Sequence, residues 1–328
     1  MSRPPETGSG PSGILVLAKP AGPTSHDMVG LVRRLAGVRR VGHGGTLDPF
    51  ASGVLPLFLG RATRLAEYHL GDGKAYRATV CFGLGSTTDD LEGELTPAGS
   101  APDRATVDAA LSRFRGPIQQ TPPAYSAIKV AGRRAYALAR AGQAPELKPR
   151  TVTIDRIEVL EWDGSDPQRP IATIEVDCSA GTYIRSLARD LGAAVGSAAY
   201  LGALVRTASG PFHLDAAHPV DVVREAATAG PDRLAALVLP PDTGLERFPK
   251  VVLDEAEVRA VGLGQFIRPH EPLTAVPGAD DRFRLVDGQG ALVAIAAWRD
   301  GRIAPDKVLV DARPDERPAA PPAGQPDA

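Results

Sequence analysis

The sequence predicts an α+β fold with a mixed, largely antiparallel central sheet, followed by a small β-rich domain. Apolar or alternating runs typical of strands recur along the chain, for example at 13–18, 53–59 and 74–82. Helical patterns lie between them in no repeating order, which argues against a doubly wound parallel sheet. Short strand-like pieces recur from 251 to 311, a stretch long enough for an accessory domain.

The individual elements follow from local patterns. The run at 13–18 is continuously apolar and ends before Pro20, as expected for a buried strand. Ser25 is expected to cap a helix that ends near Ala36, and three glycines in four positions mark 41–49 as an irregular loop. The remaining expected elements are helices at 61–70, 103–115 and 181–195 and strands at 151–162, 171–178 and 200–212.

Length and composition bound the class of protein. The 328 residues suggest about two domains, and 43% hydrophobic with 23% charged residues exclude a disordered chain, a collagen and a disulfide scaffold. No apolar run approaches the ~20 residues that cross a bilayer, and no apolar core of a signal peptide precedes residue 13. With two cysteines and no Cys-x-x-Cys pair, we expect no membrane association, no metal and a reducing cytoplasm.

Composition also suggests where the domains end. Residues 1–12 and 316–328 are rich in Pro, Gly and Ala or Ser, so we expect two disordered tails. Between them we expect a catalytic domain at 13–249 and a smaller domain at 250–315, with the Pro240-Pro241 pair as a connector.

The charge is unevenly distributed. The chain carries 37 basic and 39 acidic side chains, a net charge of −2. Residues 211–328 hold 13 basic and 19 acidic side chains, net −6, so residues 1–210 hold 24 and 20, net +4. A polyanionic partner should therefore meet the first two-thirds of the chain, although the difference could also be compositional drift.

The glycine-rich loop contains the most interesting carboxylate, Asp48. Its spacing matches neither a dinucleotide loop nor a phosphate loop, so we expect no nucleotide cofactor. Asp48 precedes Pro49 and could be a turn residue, but a lone carboxylate also suits nucleophilic attack. A buried arginine would orient such a carboxylate and lower its pKa.

Four further residues are candidates for the same site. Arg185 opens a helix after a glycine turn, and its alternative role is a solvated surface arginine. Tyr76 and Tyr183 could be ordinary core aromatics, but they lie beside polar, Gly-rich segments and could stack on a flipped base. His43, five residues before Asp48, could equally be a hydrogen-bonded loop histidine.

A set of short motifs occurs in a fixed order along the chain. The central one is Gly42-His-Gly-Gly-Thr-Leu-Asp48-Pro49 with Ala51-Ser-Gly-Val-Leu55. The others are Lys19-Pro20, Gly60-Arg-Ala-Thr63, Lys74-Ala-Tyr76, Asp89-Asp90, Phe114-Arg-Gly116, Pro122 to Lys129, Gly181-Thr-Tyr-Ile-Arg185 and Leu204-Val-Arg-Thr207. In content and order these motifs resemble those of the bacterial tRNA pseudouridine-55 synthases, the TruB-type family. They cover roughly residues 13–212, and their order makes the resemblance specific.

The resemblance implies the pseudouridine synthase fold and a role for each candidate residue. Asp48 matches the nucleophilic aspartate, and Arg185 matches the arginine paired with it. Tyr76 matches the tyrosine that stacks on the target uracil, with Tyr183 as the aromatic beside the arginine. Two more matches complete the set: His43 matches a histidine that helps to displace and hold the tRNA nucleotides, and Leu204 matches an apolar residue that lines the uracil pocket.

The resemblance also implies partners and leaves alternatives open. The substrate would be the T arm of tRNA, with no cofactor, no metal, no obligate protein partner and a monomeric enzyme. Residues 251–311 resemble a PUA-like RNA-binding domain more weakly, and a packing module is the alternative. Where the family often has Leu-Arg-Arg-Thr, this chain has Val205, so one phosphate contact is expected to be absent or supplied elsewhere.

Two other functions remain compatible with the residues. One is a tRNA-binding or tRNA-folding protein whose chemistry is secondary. The other is a small-molecule hydrolase, which would need Asp89 or Asp90 as a second catalytic carboxylate in the same cleft as Asp48.

Overall fold

A computed structural model describes residues 10–126, 147–268 and 281–310, with a few positions between 129 and 143. The chain forms two compact units, Met1–Pro240 and Pro241–Ala328, which divide at the Pro240-Pro241 pair. Residues 1–9 of the expected N-terminal tail, and the whole expected C-terminal tail at 316–328, lie outside the described residues.

The first unit contains the central sheet and the helices that cover it. Its strands are β1 Gly13–Lys19, β2 Val41–His43, β3 Ser52–Leu59, β4 Lys74–Phe82, β5 Leu84–Ser86, β6 Leu95–Pro97, β7 Gly116–Gln120, β8 Lys129–Val130, β9 Arg133–Arg134, β10 Arg150–Asp163, β11 Ile171–Cys178, β12 Ala199–Ser209, β13 Phe212–His213 and β14 His218–Pro219. Its helices are α1 Ser25–Ala36, α2 Arg104–Leu111, α3 Ile184–Ala194, α4 Val220–Ala229 and α5 Pro231–Ala235.

Ten of these strands form one mixed sheet. The strand order is β14-β1-β3-β12-β4-β11-β10-β7, and β2 and β13 pair with β3 and β12. The pairs β1–β14 and β3–β12 are parallel, and the other pairs are antiparallel. The predicted mixed, largely antiparallel sheet is confirmed.

Strand β1 shows why the continuous apolar run at 13–18 had to be buried. Successive side chains of a strand point to opposite faces. Leu15 and Leu17 belong to a core with α1 and α4, whereas Ile14 and Val16 belong to a second core with Phe58. Helices α2 and α3 pack over the β4–β11–β12 part of the sheet in a third core.

Helix α1 begins with a capping box that differs from the expected cap. The Thr24 side chain accepts a hydrogen bond from the Asp27 amide, and the Asp27 carboxylate accepts one from the Thr24 amide. Because Thr24 and Asp27 have the spacing that closes this box, Ser25 becomes the first helical residue. Its hydroxyl is then available for the loop at Leu47.

Two other helix predictions need correction. The segment expected as a helix at 61–70 is a 3-10 helix, Gly60–His69. The helix expected at 103–115 ends at Leu111 and continues as the 3-10 turn Ser112–Phe114. The expected loop at 41–49 begins with strand β2.

The second unit is small and β-rich, as the sequence pattern predicts. It contains β15 Lys250–Val252, α6 Glu255–Gly262, β16 Arg282–Val286, β17 Leu292–Arg299 and β18 Arg302–Val308, and the sheet order is β15-β16-β17-β18. Its core includes Leu253, Val261, Phe283, Leu285 and Ile303. Among the described residues of the whole chain, no helix combines the length and the apolar character needed to span a membrane.

Candidate active site

Asp48 lies on residues 44–51 between β2 and β3, which we call the Asp48 segment. Buried side chains hold the backbone of this segment at several points. The Ser25 hydroxyl donates to the Leu47 carbonyl at 3.0 Å and accepts from the Leu47 amide at 2.8 Å. The Lys19 ammonium donates to the carbonyls of Pro49 at 3.2 Å and Ala51 at 2.6 Å. An irregular loop is thereby held in one conformation without a regular hydrogen-bond ladder.

The Asp48 carboxylate forms an ion pair with the guanidinium of Arg185. Arg185 Nε lies 3.0 Å from Asp48 Oδ2, and Nη2 lies 3.3 Å from Oδ1. The Arg185 side chain is 6% exposed, whereas that of Asp48 is 35% exposed. The arginine therefore fixes the carboxylate from the protein side and leaves it open to a ligand.

Arg185 is itself held by several partners. Its Nη1 lies 3.3 Å from Asp90 Oδ2 and donates to the Thr88 carbonyl at 3.3 Å, and Nη2 donates to the Tyr125 carbonyl at 2.9 Å. The alternative of a solvated surface arginine is wrong for this residue. One guanidinium joins two carboxylates that are 42 positions apart in the sequence.

Burial raises the pKa of the Asp48 carboxyl above its ordinary value, and the nearby charge of Asp90 acts in the same direction. Arg185 and Lys19 oppose this rise without cancelling it. Arg185 lowers the pKa, as the sequence analysis expects of a buried arginine, but the net pKa is raised because the cost of removing the carboxylate from water exceeds the gain from the pairing.

Tyr76 and Leu204 lie on one face of two neighbouring strands. Leu204 pairs with Ala78, and Arg206 pairs with Tyr76, in the β12–β4 register. Tyr76 and Leu204 belong to the same core as Leu47 of the Asp48 segment. Burial raises the pKa of the Tyr76 phenol, with the neighbouring Arg206 guanidinium opposing the rise, so the hydroxyl stays protonated at neutral pH.

His43 ends strand β2 just before the Asp48 segment. Its Nδ1 accepts a hydrogen bond from the Gly45 amide at 3.3 Å. Burial lowers the pKa of this imidazole, with Arg206 and His26 adding to the effect. A neutral histidine with its Nδ1 occupied keeps Nε2 as the nitrogen that can meet a ligand.

Tyr183 is the residue immediately before α3, two positions from Arg185. The Gln120 side chain fixes its backbone, accepting from the Tyr183 amide at 2.8 Å and donating to its carbonyl at 3.1 Å. The Arg150 guanidinium lies 4.8 Å from the centre of the Tyr183 ring. The Tyr183 ring is thus stacked with a cation. The sequence analysis did not anticipate this contact with Arg150.

Sequence reasoning missed the roles of two buried cations, Lys19 and Arg206, although it quoted both within motifs. Lys19 is 1% exposed and holds the Asp48 segment, and Arg206 is 1% exposed and donates to three backbone carbonyls. A signal was present: each cation occupies a position within or at the end of an apolar strand pattern, where a charge is rarely tolerated without partners. Val205, the departure from the family pattern, alternates with Leu204 and Arg206 on β12 and so points to the other face of the sheet.

The hydrolase alternative is weakened by how Asp90 is used. Asp90 shares Arg185 with Asp48, so distance alone does not exclude a pair of carboxylates. However, Asp90 is buried, and its Oδ1 accepts hydrogen bonds from the Thr88 hydroxyl and the Glu92 amide. Its oxygens are occupied by the protein, unlike the partly exposed carboxylate of Asp48.

Known proteins are similar to this chain in both sequence and fold. The model of the TruB family pseudouridylate synthase N-terminal domain matches residues 33–184. A tRNA pseudouridine synthase B of Gloeobacter violaceus is 54% identical over 222 residues, covering 66% of this chain and 75% of that protein. The protein of the same name from Prochlorococcus marinus is 41% identical over 325 residues, covering 92% and 99%.

Solved structures of other proteins have a similar fold. The chain superimposes with a TM-score of 0.70 and 27% identity on a chain from the crystal structure of a Cbf5-Nop10-Gar1 complex, covering 94% of this chain and 88% of that one. A chain from an H/ACA RNP bound to a substrate RNA containing 2′-deoxyuridine gives a TM-score of 0.69 at 25% identity. Because a relative 41% identical is matched over nearly its whole length, this chain belongs to the TruB family of pseudouridylate synthases.

Proposed function

We propose that this enzyme converts a uridine in the T loop of tRNA, at position 55, into pseudouridine. The observation that carries the proposal is a partly exposed Asp48 carboxylate paired with a buried arginine, Arg185. Tyr76 and Leu204 lie in the same core as the Asp48 segment and supply apolar surface for a base. The names of the relatives, tRNA pseudouridine synthase B, support tRNA as the substrate.

The proposed reaction is an isomerisation within one nucleotide. The N1–C1′ bond breaks, the uracil rotates while it stays bound, and C5 joins C1′. The proton on C5 is then lost and N1 gains one, so atoms and electrons balance without an oxidant or a second substrate. Asp48 could add to C1′, add to C6 or promote removal of the 2′ proton, and all three require its ionised form.

The uridine must leave the folded T loop to reach Asp48, at a cost of a few kcal/mol. Stacking on Tyr76 offsets part of this cost, since a base–aromatic contact is worth roughly 1–3 kcal/mol. In this proposal Leu204 excludes water from the base, and the neutral His43 holds the displaced nucleotides. A tight apolar pocket also prevents the detached uracil from escaping during rotation.

We place RNA binding mainly on residues 1–210, where the net charge is +4 (24 basic minus 20 acidic side chains). We propose residues 13–249 as the catalytic domain and 250–315 as a PUA-like domain that assists binding. We further propose a monomer that acts in the cytoplasm without an obligate protein partner. Binding to phosphates makes the affinity for tRNA fall steeply with salt.

The direct test compares wild type with Asp48→Asn on unmodified tRNA. We expect pseudouridine at one T-loop uridine with wild type and a rate at least about 10⁴-fold lower with the variant. Mapping of pseudouridine by chemical modification and primer extension identifies the position. Because asparagine has almost the same shape, tRNA binding should be retained.

Each outcome separates the alternatives. Product at another uridine would refute the proposed position, and the absence of product with wild type would refute the reaction. An Asp48→Asn variant that makes no pseudouridine in vitro but replaces wild type fully in cells would favour a tRNA-binding or tRNA-folding role.

A further inference from the structure

A row of paired residues crosses four strands of the sheet next to the Asp48 segment. Lys19 of β1 pairs with Gly53 of β3, Gly53 pairs with Arg206 of β12, and Arg206 pairs with Tyr76 of β4. Gly53 has a φ of +110°, and a Cβ there would lie 2.2 Å from the Arg206 carbonyl oxygen. The glycine therefore lets β3 and β12 approach closely and brings Arg206 against the segment that carries Asp48.

Arg206 connects three parts of this site through one guanidinium. Its Nε donates to the Val54 carbonyl at 2.8 Å, Nη1 to the Thr46 carbonyl at 3.4 Å and Nη2 to the Gly45 carbonyl at 3.2 Å. Tyr76 is the cross-strand partner of Arg206 on the same face of the sheet, and its hydroxyl interacts with the guanidinium. Gly45 and Thr46 belong to the Asp48 segment and Val54 to β3, so the Asp48 segment, the sheet and the stacking tyrosine share one buried side chain.

Among the described residues, Arg206 meets no carboxylate: its partners are three backbone carbonyls and a phenol. A buried cation without a carboxylate partner is costly, and burial indeed lowers the pKa of Arg206. The same positive charge also contributes, after burial, to the lowered pKa values of His43, Lys19 and Lys74. Such an arrangement destabilises the fold compared with an apolar residue in the same place, which indicates that the guanidinium serves the site.

The chemistry of the contact with Tyr76 has a direction. A guanidinium only donates hydrogen bonds, whereas a phenol has one proton to donate and lone pairs that accept. When Arg206 donates to the phenol oxygen, the hydroxyl proton must be directed to another acceptor. A phenol that receives a bond from a cation is also a stronger donor through its own proton.

We propose that Arg206 is a positioning residue that locks the Asp48 segment and Tyr76 into one geometry and directs the Tyr76 hydroxyl proton toward the bound base. The inference rests on the proposed function, because it takes the base of the target nucleotide as the acceptor. Arg206 itself stays behind the tyrosine and the loop and makes no contact with the substrate.

The test measures single-turnover pseudouridine formation at saturating tRNA with Arg206→Lys and Arg206→Met. Lysine keeps the charge but cannot reach all four partners, and methionine removes both charge and donors. We expect the rate to fall about 100-fold with lysine, the size of a small misplacement of catalytic groups, and further with methionine. The dissociation constant for tRNA should change little, because the lost interaction acts on the reacting geometry.

Val223→Ala serves as the matched control for loss of stability. Val223 is 1% exposed and packs in the core around α1 and α4, whereas Arg206 belongs to the strand row. The rate of each variant is measured at a temperature that lies the same number of degrees below its own thermal midpoint. If Arg206→Lys loses no more activity than Val223→Ala, the role of Arg206 is structural only and the proposal is overturned.

A spectroscopic measurement tests the contact with Tyr76 without relying on activity. The chain has six tyrosines, so the ring carbons that carry the hydroxyl can be labelled with ¹³C and resolved by NMR, and Tyr76→Phe assigns the signal. Arg206→Lys should shift the Tyr76 signal and leave that of Tyr200 in place. An unchanged Tyr76 signal contradicts the proposal, whichever way the rate responds.

The failure of the inference is distinguishable from failure of the proposed function. If wild type makes no pseudouridine in tRNA, the proposed function fails, and no rate for Arg206 is interpreted. If wild type is active and Arg206→Lys is equally active with an unshifted Tyr76 signal, only the inference fails. Should Arg206→Met not fold, Arg206→Lys alone decides between these outcomes.

Discussion

Two buried arginines hold the Asp48 segment, and they differ in the kind of partner that they meet. Arg185 of α3 faces two carboxylates, Asp48 and Asp90. Arg206 of β12 faces three backbone carbonyls and a phenol. A carboxylate can gain or lose a proton and so responds to charge pairing, whereas a carbonyl cannot. Arg185 therefore acts on the charge and orientation of the nucleophilic carboxylate, and Arg206 acts on the position of the backbone that carries it.

Removal of Arg185 should have the largest effect, because it removes the ion pairs with Asp48 and Asp90. Arg185→Gln leaves Asp90 buried without its cation, which typically costs about 3 kcal/mol or more of unfolding free energy. The variant should also form pseudouridine at a rate lower by about 10³-fold, since Asp48 loses its orientation. Urea unfolding and single-turnover kinetics measure the two effects.

The control for Arg185 is Arg156→Gln. Arg156 is half exposed and pairs with Glu158 and Glu175 at the surface, so neither stability nor rate should change measurably. If both variants behave alike, the pairing around Asp48 contributes nothing special, and the contrast between the two arginines disappears.

The pH dependence of the rate tests the charge of Asp48. Because burial raises the pKa of this carboxyl above its ordinary value of 3.8, and the ionised form reacts, the rate must fall as pH decreases through the raised pKa. Below that midpoint the single-turnover rate should drop about tenfold per pH unit. If the midpoint lies at or below 3.8, Arg185 lowers the pKa of Asp48 by at least as much as burial raises it, and the expectation is wrong.

Lys19 should produce a smaller effect at the alkaline end. Burial lowers the pKa of its ammonium from 10.5 to about 8, with Asp48 opposing and Arg206 adding to the change. Above pH 8 the Lys19 ammonium of the folded protein loses this proton. The side chain then has no positive charge and one N–H donor fewer for the backbone carbonyls around it. We expect the rate to fall about tenfold or more above pH 8, because one charged hydrogen bond is worth roughly 1.5–3 kcal/mol.

Lys19→Arg gives the comparison, because a guanidinium does not titrate in this range. Its rate should stay level where that of wild type falls. The sign for stability is opposite: between pH 8 and 10.5 the unfolded lysine binds more protons than the folded one, so the unfolding free energy of wild type rises with pH. An identical alkaline decline in both proteins would assign it to another group.

The smallest effect is expected one step further from the nucleophile, at Gln120. Its side chain satisfies the Tyr183 amide and carbonyl beside the start of α3. Gln120→Leu should cost about 1–3 kcal/mol of unfolding free energy, because the partly buried Tyr183 amide loses its partner, and should slow the reaction modestly through Arg185. Gln119→Leu is the matched control, since this neighbouring side chain is exposed. Equal thermal midpoints for the two variants would contradict the role of Gln120.

The sequence was sufficient for the features that depend on local pattern. The apolar run of β1, the alternation of β4 and the glycine-rich segment around Asp48 indicated buried strands and a loop where the structure has them. The motif order indicated the family and brought Asp48 and Arg185 forward as a pair. The helix cap at Thr24, by contrast, was misplaced by one residue, because two adjacent hydroxyl residues compete and the spacing to Asp27 decides between them.

What the sequence alone determined is the set of reactive groups and the order in which the chain presents them. What only the tertiary structure decided is their electrostatic state and which cations support them: the raised pKa of Asp48, the sharing of Arg185 with Asp90, and the burial of Lys19 and Arg206. The physical reason is that desolvation and charge pairing depend on distances between residues far apart in the chain, such as the 158 positions between Asp48 and Arg206. No local pattern records those distances, because the register of four strands creates them.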